Sequence, residues 1–408
     1  MRFFTALSLP MALSLLAGCG LSGQTGLPAT SGSSLDPTRF RADGVSRTHV
    51  LVRFQDGMTT LDAHAFADRH GLRITRTLPA LDMALVTVTG TPEATLARLS
   101  KDPAVAHVEF DRAVTLDDVS VNDPRRGEQY HLDRVQAGKA WEISRGSDQV
   151  VIAIIDTGID LGHPDLKSKL VAGTNTLDAG SPPRDDRGHG THVAGIAVAA
   201  TNNREGVAGL ASNCRLMPVR VTGNQGGTTE SVAAGLVWAA DHRADVANMS
   251  LGFYEESDTL QRAVAYALSK NVVLVSTMGN DRQEKPRYPA AYPGVIAVGS
   301  TDAQDQRSSF SNYGSWMSVS APGKDILSTF PTYTVRLVNT PGYGFMTGTS
   351  MAAPLVSGLC GLVRSKHPGM APAEVKRLIE KTARDLGDPG HDVYYGHGRI
   401  DAYAALSR

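Results

Sequence analysis

Val150-Val151-Ile152-Ala153-Ile154-Ile155-Asp156 is the stretch that decides the fold. It is a run of apolar, mostly β-branched residues without alternation, which reads as a strand buried on both faces, and such strands belong to parallel sheets covered by helices. Asp156 stands at the C-terminal end of the run, where open α/β sheets place their ligands. Working outward, apolar runs at 215–221, 246–251, 272–276 and 295–299 repeat the signal, with helical segments between them such as 230–242. The expected fold class is α/β: a mostly parallel sheet with helices on both faces.

Two other strings carry chemistry. In Gly348-Thr349-Ser350-Met351-Ala352-Ala353-Pro354 a single hydroxyl, Ser350, sits between a small-residue turn and an apolar helix expected to run to about His367. Pro354 is expected in the first helical turn, where its missing N–H is tolerated. A helix start carries unpaired N–H groups and a positive dipole end, and both favour an oxyanion forming beside Ser350. An unassisted serine is a poor nucleophile near neutral pH, so it needs a base held in one tautomer. His189-Gly190-Thr191-His192-Val193-Ala194-Gly195 supplies the base as His189, and Ile155-Asp156-Thr157-Gly158-Ile159 supplies the acid as Asp156. His192 is read as structural, because a zinc pair on one helix face needs i, i+4 spacing with an intervening Glu.

With the order Asp, His, Ser, the chain from about Asn122 to its end resembles a subtilisin-like serine protease. The resemblance implies Asp156, His189 and Ser350 as the catalytic triad. Val275-Ser276-Thr277-Met278-Gly279-Asn280 is similar to the family segment whose Asn side chain completes the oxyanion hole, which makes Asn280 that donor. Ser250, Leu251 and Gly252 match the segment that walls the first specificity pocket. Gly226 and Gly227, with Thr228, sit where the family offers an edge strand to an extended peptide, so polypeptides are the expected substrates. Arg287 immediately precedes Tyr288-Pro289-Ala290, the string that in the family follows the residue at the pocket base. Its guanidinium is positioned either to pair a substrate carboxylate or to point into solvent.

Within the family, the strings Asn122-Asp123-Pro124, Thr201-Asn202-Asn203-Arg204-Glu205-Gly206-Val207 and Ser308-Ser309-Phe310-Ser311 resemble the thermitase-like members. That resemblance implies one structural calcium site built from Asp123, Asp165, the Asn203 side chain, and the carbonyls of Ala200, Glu205 and Val207, an all-oxygen set suited to a hard cation. A second site of that branch is not expected, because Asn175, Gly180, Pro182 and Arg184 stand where its ligands would be.

The rest of the chain frames this domain. Arg2, the apolar run 3–16 and Leu16-Ala17-Gly18-Cys19 read as an export signal, 1–19, whose end resembles a bacterial lipoprotein box with Cys19 as the lipidated residue. The alternative is an ordinary secretory signal in which the cysteine is incidental. Residues 20–46 are a Gly, Ser, Thr and Pro-rich linker. Residues 47–115 read as β-α-β-β-α-β, with Thr91 capping a helix that opens on Pro92. Ahead of a protease this ferredoxin-like unit resembles the family's inhibitory prodomain, a partner in cis. The catalytic domain is then 119–408, cut free either after Asp118, with the acid read by Arg287, or after Leu116.

A chain of 408 residues with 41% hydrophobic and 20% charged residues can bury a large core, and its net charge of −1 gives no electrostatic reason to expect nucleic acid or an acidic polymer as a partner. The subtilisin-like and lipoprotein-box resemblances together imply an exported, membrane-anchored, monomeric endopeptidase. Besides Cys19 there are only Cys214 and Cys360, and Cys360, in an apolar helix, is expected as a buried free thiol. Two rivals remain: a catalytically silent subtilisin-like lipoprotein that binds surface proteins, and an esterase. Against the esterase, Ser350 does not sit in a Gly-x-Ser-x-Gly turn.

Overall fold

In the computed structural model, residues 39–41, 45–57, 59–113 and 121–408 are described. Cys19 and the joint 114–120 lie outside them. The chain divides into two compact units, Met1–Thr115 and Leu116–Arg408.

The first unit is a four-stranded antiparallel sheet in the order Arg73–Leu78, Met83–Thr87, Val45–Phe54, Val105–Arg112. Two helices, Thr60–Arg69 and Pro92–Leu99, cover it, and Val50, Val52, Phe66, Val86 and Leu99 form the core between them. The helix starts follow their caps. Thr59 and Asp62 bond reciprocally in a capping box, and the Thr91 hydroxyl accepts from the Ala94 N–H at 3.3 Å. The expected β-α-β-β-α-β order is present, with one short turn of 3₁₀ helix, Pro79–Leu81, between the two middle strands.

The second unit is built on a seven-stranded parallel sheet: Val319–Pro322, Ile296–Thr301, Val273–Thr277, Val246–Met249, Val151–Asp156, Arg215–Arg220, Thr174–Asn175. Alternate residues of the strand Val151–Asp156 face opposite layers. Ile152 and Ile154 pack with the helices His189–Val198 and Thr349–Lys366, whereas Ala153 and Ile155 pack with Thr229–Asp241 and Asp258–Ser269. Each such isoleucine contributes about 1.5–3 kcal/mol by leaving water, which is why an uninterrupted apolar run was required.

Two local expectations are corrected. Gly226 and Gly227 form no strand: Gly223 and Gly226 exchange backbone hydrogen bonds at 3.2 and 3.0 Å in a turn, and Thr228 caps the following helix. Pro354 lies in the interior of the helix Thr349–Lys366, not in its first turn. A proline there cannot bond the carbonyl four residues back, which is that of Ser350. That carbonyl accepts instead from the Ser250 hydroxyl at 2.9 Å.

Cys214 and Cys360 are buried and free. Among the described residues no helix is long and apolar enough to cross a membrane.

His131 and His192 are fully buried, and burial pushes both imidazoles down to about 3. Both ring nitrogens of His131 lack a hydrogen-bond partner among the described residues, so a proton there would have no acceptor. An unfolded histidine titrates near 6.5, so on acidification the unfolded chain takes up protons first. Stability is accordingly expected to fall as pH drops from about 6.5 towards about 3. Urea midpoints between pH 7 and 4 measure this, and His131→Phe should flatten the slope. A slope unchanged by that substitution would contradict it.

Candidate active site

Asp156 is the last residue of its strand and His189 the first of its helix, and a close approach brings them together. A Cβ on Gly190 would lie 2.2 Å from the Gly158 carbonyl oxygen and 3.2 Å from the Asp156 Cβ, so only glycine lets the helix start press against the strand end. His189 Nδ1 then donates to Asp156 Oδ1 at 2.7 Å, and the Thr157 N–H donates to the same oxygen at 2.7 Å. Asp156 Oδ2 accepts from none of the described residues. Burial, the largest influence on His189, favours its neutral form, but the charge and hydrogen bond of Asp156 outweigh it and raise the pKa above the ordinary histidine value.

Asp185, which sequence reasoning missed, fixes this helix start. Its carboxylate accepts from Thr157 Oγ1 (2.8 Å), Arg187 N (3.0 Å), Gly188 N (2.8 Å), Thr191 N (2.9 Å) and Thr191 Oγ1 (2.6 Å). The available signal was an Asp just ahead of a helix start, the position that binds orphan N–H groups. His192, on the same helix, donates through Nε2 to the Ile326 and Gly344 carbonyls, a structural role as expected.

Ser350 stands at the second position of its helix. Its hydroxyl donates to the Ser250 carbonyl at 3.2 Å, and no hydrogen bond joins it to His189. Apo geometry of this kind is common, and rotation about one side-chain bond redirects a serine hydroxyl. Asn280 is held by its oxygen, which accepts from Thr349 N at 2.9 Å and Thr349 Oγ1 at 2.8 Å. That leaves Asn280 Nδ2 with no acceptor among the described residues, and the Ser350 N–H likewise donates to none of them. A Cβ built on Gly348 would lie 3.3 Å from Asn280 Nδ2 and 3.7 Å from Ser350 N, so a single point beside the serine touches both unused donors.

Thr349 is the second residue missed. Buried, it also takes a hydrogen bond from the Gly279 N–H at 3.2 Å and one from the Thr277 hydroxyl, and so ties the end of the strand Val273–Thr277 to the serine helix. Ser250 is held by Asn248 Nδ2 at 3.0 Å. Leu251 is half-buried against the second hydrophobic layer and Gly252 faces Arg287. Gly226 and Gly227 are exposed. Arg287 does not point into solvent: its side chain is 23% exposed and Nη1 lies 3.2 Å from Asp281 Oδ2.

Of the residues expected around calcium, Asp123, Asp165 and Asn203 gather at one loop. Asn203 Nδ2 donates to Asp165 Oδ1 at 2.7 Å, and Asp123 accepts from the Asn202 and Asn203 N–H groups at 3.0 and 3.3 Å. Both carboxylates are buried with no Lys or Arg paired to them among the described residues. Burial, then the nearby Asp165 charge, push the Asp123 carboxyl up against two backbone donors. The Ala200, Glu205 and Val207 carbonyls accept no hydrogen bond from described residues, although Val207 is fully buried. Among the described residues no three His, Cys, Asp or Glu side chains form a metal-binding group. Two carboxylates and idle carbonyls nevertheless suit an oxygen-seeking cation, whereas Asn203 turns its Nδ2 to Asp165 and its Oδ1 to the Glu205 N–H at 3.0 Å, so ligation by Asn203 needs its amide to turn.

An acid–base pair at a strand end, a serine at a helix start and two idle donors beside it are groups that suit acyl-transfer chemistry. The subtilase family model matches residues 147–398, and the fervidolysin N-terminal prodomain model matches residues 47–111. Thermitase from Thermoactinomyces vulgaris is 44% identical over 287 residues, 70% of this chain and 98% of its own. A thermophilic serine proteinase of Bacillus sp. (strain AK1) is 40% identical over 323 residues, 78% of this chain and 77% of its own. Fervidolysin from Fervidobacterium pennivorans, described as a keratinolytic enzyme related to subtilisin, superimposes with a TM-score of 0.65 at 26% identity, over 92% of this chain and 62% of its own. The chain belongs to the subtilase family and is a subtilisin-like serine endopeptidase with an N-terminal prodomain.

Proposed function

We propose that Asp156, His189 and Ser350 form the catalytic triad of an endopeptidase that is exported as a self-processing precursor. The observation that carries this is the pair of unused donors, Asn280 Nδ2 and Ser350 N, converging beside Ser350, with the 2.7 Å His189–Asp156 hydrogen bond as its complement. Ser350 Oγ attacks the peptide carbonyl and passes its proton to His189 Nε2, while Asp156 holds Nδ1–H and stabilises the imidazolium. The two donors take up the oxyanion, which exists only in the tetrahedral state, so their stabilisation goes into the barrier and not into substrate binding. His189 returns the proton to the leaving amine, and water, activated the same way, releases the acyl group.

On this reading 47–115 inhibits in cis until removed and 119–408 is the mature enzyme, carried out of the cell by the signal 1–19 and anchored by lipid on Cys19. Ser250, Leu251 and Gly252 wall the first pocket, and Gly227, exposed and without a side chain, has backbone groups that pair with none of the described residues and are open to an extended peptide, next to the turn that ends at Gly226. Incubating the purified processed protein with an unfolded polypeptide and sequencing the fragments tests the function. Cuts at interior bonds are expected, and an intact polypeptide would support the silent surface-binding rival.

Asp123, Asp165, Asn203 and the carbonyls of Ala200, Glu205 and Val207 are the proposed holders of one structural calcium ion, which would supply the cationic partner that the two buried carboxylates lack among the described residues. An ion bound by the folded state alone stabilises it by about 2.7 kcal/mol at a hundredfold excess over its dissociation constant. Thermal unfolding is therefore expected to shift down by several degrees on adding a chelator and to recover with calcium. An unchanged midpoint would remove the site.

A further inference from the structure

We propose that Arg287 selects an acidic side chain immediately before the scissile bond, and that Asp281 is the resting counter-ion which this side chain displaces. The inference rests on the triad reading, since it places the pocket beside Ser350.

Position comes first. The Ser250 carbonyl receives the Ser350 hydroxyl, and the chain continues through Leu251 to Gly252. Asn280, on the other side, follows Gly279. Arg287 is wedged between these two segments: a Cβ on Gly252 would lie 2.9 Å from its Nε, and one on Gly279 would lie 2.8 Å from its Cδ and 3.1 Å from its Nη1. Backbone hydrogen bonds in both directions between Phe253 and Tyr288, each 2.8 Å, fix the register of Arg287 against Gly252. The guanidinium therefore lies where the segment holding the nucleophile and the segment holding the oxyanion donor converge, and the side chain of the residue being cut must meet it.

Charge and hydrogen bonding come second. The Arg287 side chain is 23% exposed, and its guanidinium lies 5.3 Å from the centroid of the Tyr254 ring. Nε is buried without a partner, and Nη2 donates to no described residue. The one ion pair, Nη1 to Asp281 Oδ2, is 3.2 Å long, beyond the 2.7–2.9 Å usual for such bonds. Asp281 is 44% exposed, and its Oδ2 is shared with the Tyr254 hydroxyl. An apolar side chain would cover this cation and leave Nη2 unpaired, which is costly. A carboxylate would instead take the Nη1 and Nη2 ends of the fork, with Asp281 turning to water. The chain's own joint offers such a residue, Asp117-Asp118 ahead of Val119.

The test is a peptide series that differs only in the residue before the scissile bond, Glu, Gln, Leu or Ala, given to the processed protein. Glu is expected to exceed its isostere Gln at least tenfold in kcat/KM. Arg287→Gln, which keeps the bulk and drops the charge, should abolish that ratio, and Asp281→Asn, which removes the competing carboxylate, should widen it. The processed protein should begin at Val119. Cleavage of the Leu peptide without preference for Glu over Gln overturns this inference and leaves the triad standing. Failure to cut any peptide overturns both.

Discussion

Ser350→Ala is expected to lower kcat by on the order of 10⁶-fold, a magnitude carried over from the corresponding serine of subtilisin. The substitution removes the attacking oxygen and leaves Asn280 Nδ2 and the Ser350 N–H position in place, so residual turnover is what oxyanion stabilisation and binding alone provide. The hydroxyl makes one 3.2 Å hydrogen bond, to the Ser250 carbonyl, so the thermal midpoint should stay nearly unchanged. The same variant should keep its prodomain attached, visible as a precursor of undiminished mass after secretion. Normal turnover or normal processing by this variant would mean that another nucleophile is at work.

Asp156→Asn has the second largest expected effect, a loss of about 10⁴-fold in kcat, because an amide facing Nδ1 favours the wrong tautomer. It also moves the pH profile. In the parent, burial works to keep the His189 ring neutral, but the Asp156 charge and hydrogen bond prevail and the pKa stands above the ordinary value. The base must be neutral to accept the serine proton, so activity falls as pH drops through that pKa, above about 6.5. Removing the charge should shift this acid limb to lower pH in whatever activity remains. A variant of parental kcat, or one whose acid limb does not move, would show that Asp156 does not face the working histidine.

The sheet was legible because its strands are buried on both faces, and burial of that kind leaves uninterrupted apolar runs such as 150–155. The prodomain helices were legible from Thr91-Pro92, where a cap and a fixed φ act within a few residues. What escaped was contact between residues far apart in sequence. Thr349 meets Thr277 across 72 positions, and the Ser350 carbonyl meets Ser250 across 100. No local pattern encodes those pairs, because Thr and Ser hydroxyls bond equally well to water or to a neighbouring turn. The misplacement of Pro354 has the same origin. A proline inside a helix is unfavourable by local rules, yet here the carbonyl it frees is occupied by Ser250. Gly226 and Gly227 were read as an edge strand from resemblance alone, and without side chains they follow the turn that Gly223 closes.

The most direct measurement of the central claim, that Ser350 is an activated nucleophile, is covalent labelling of the purified processed protein with a fluorophosphonate probe, followed by peptide mapping. The account predicts one equivalent of label on Ser350, reduced severely in Asp156→Asn and absent in Ser350→Ala. Failure to label the parent protein, or label carried by a residue other than Ser350, would contradict it.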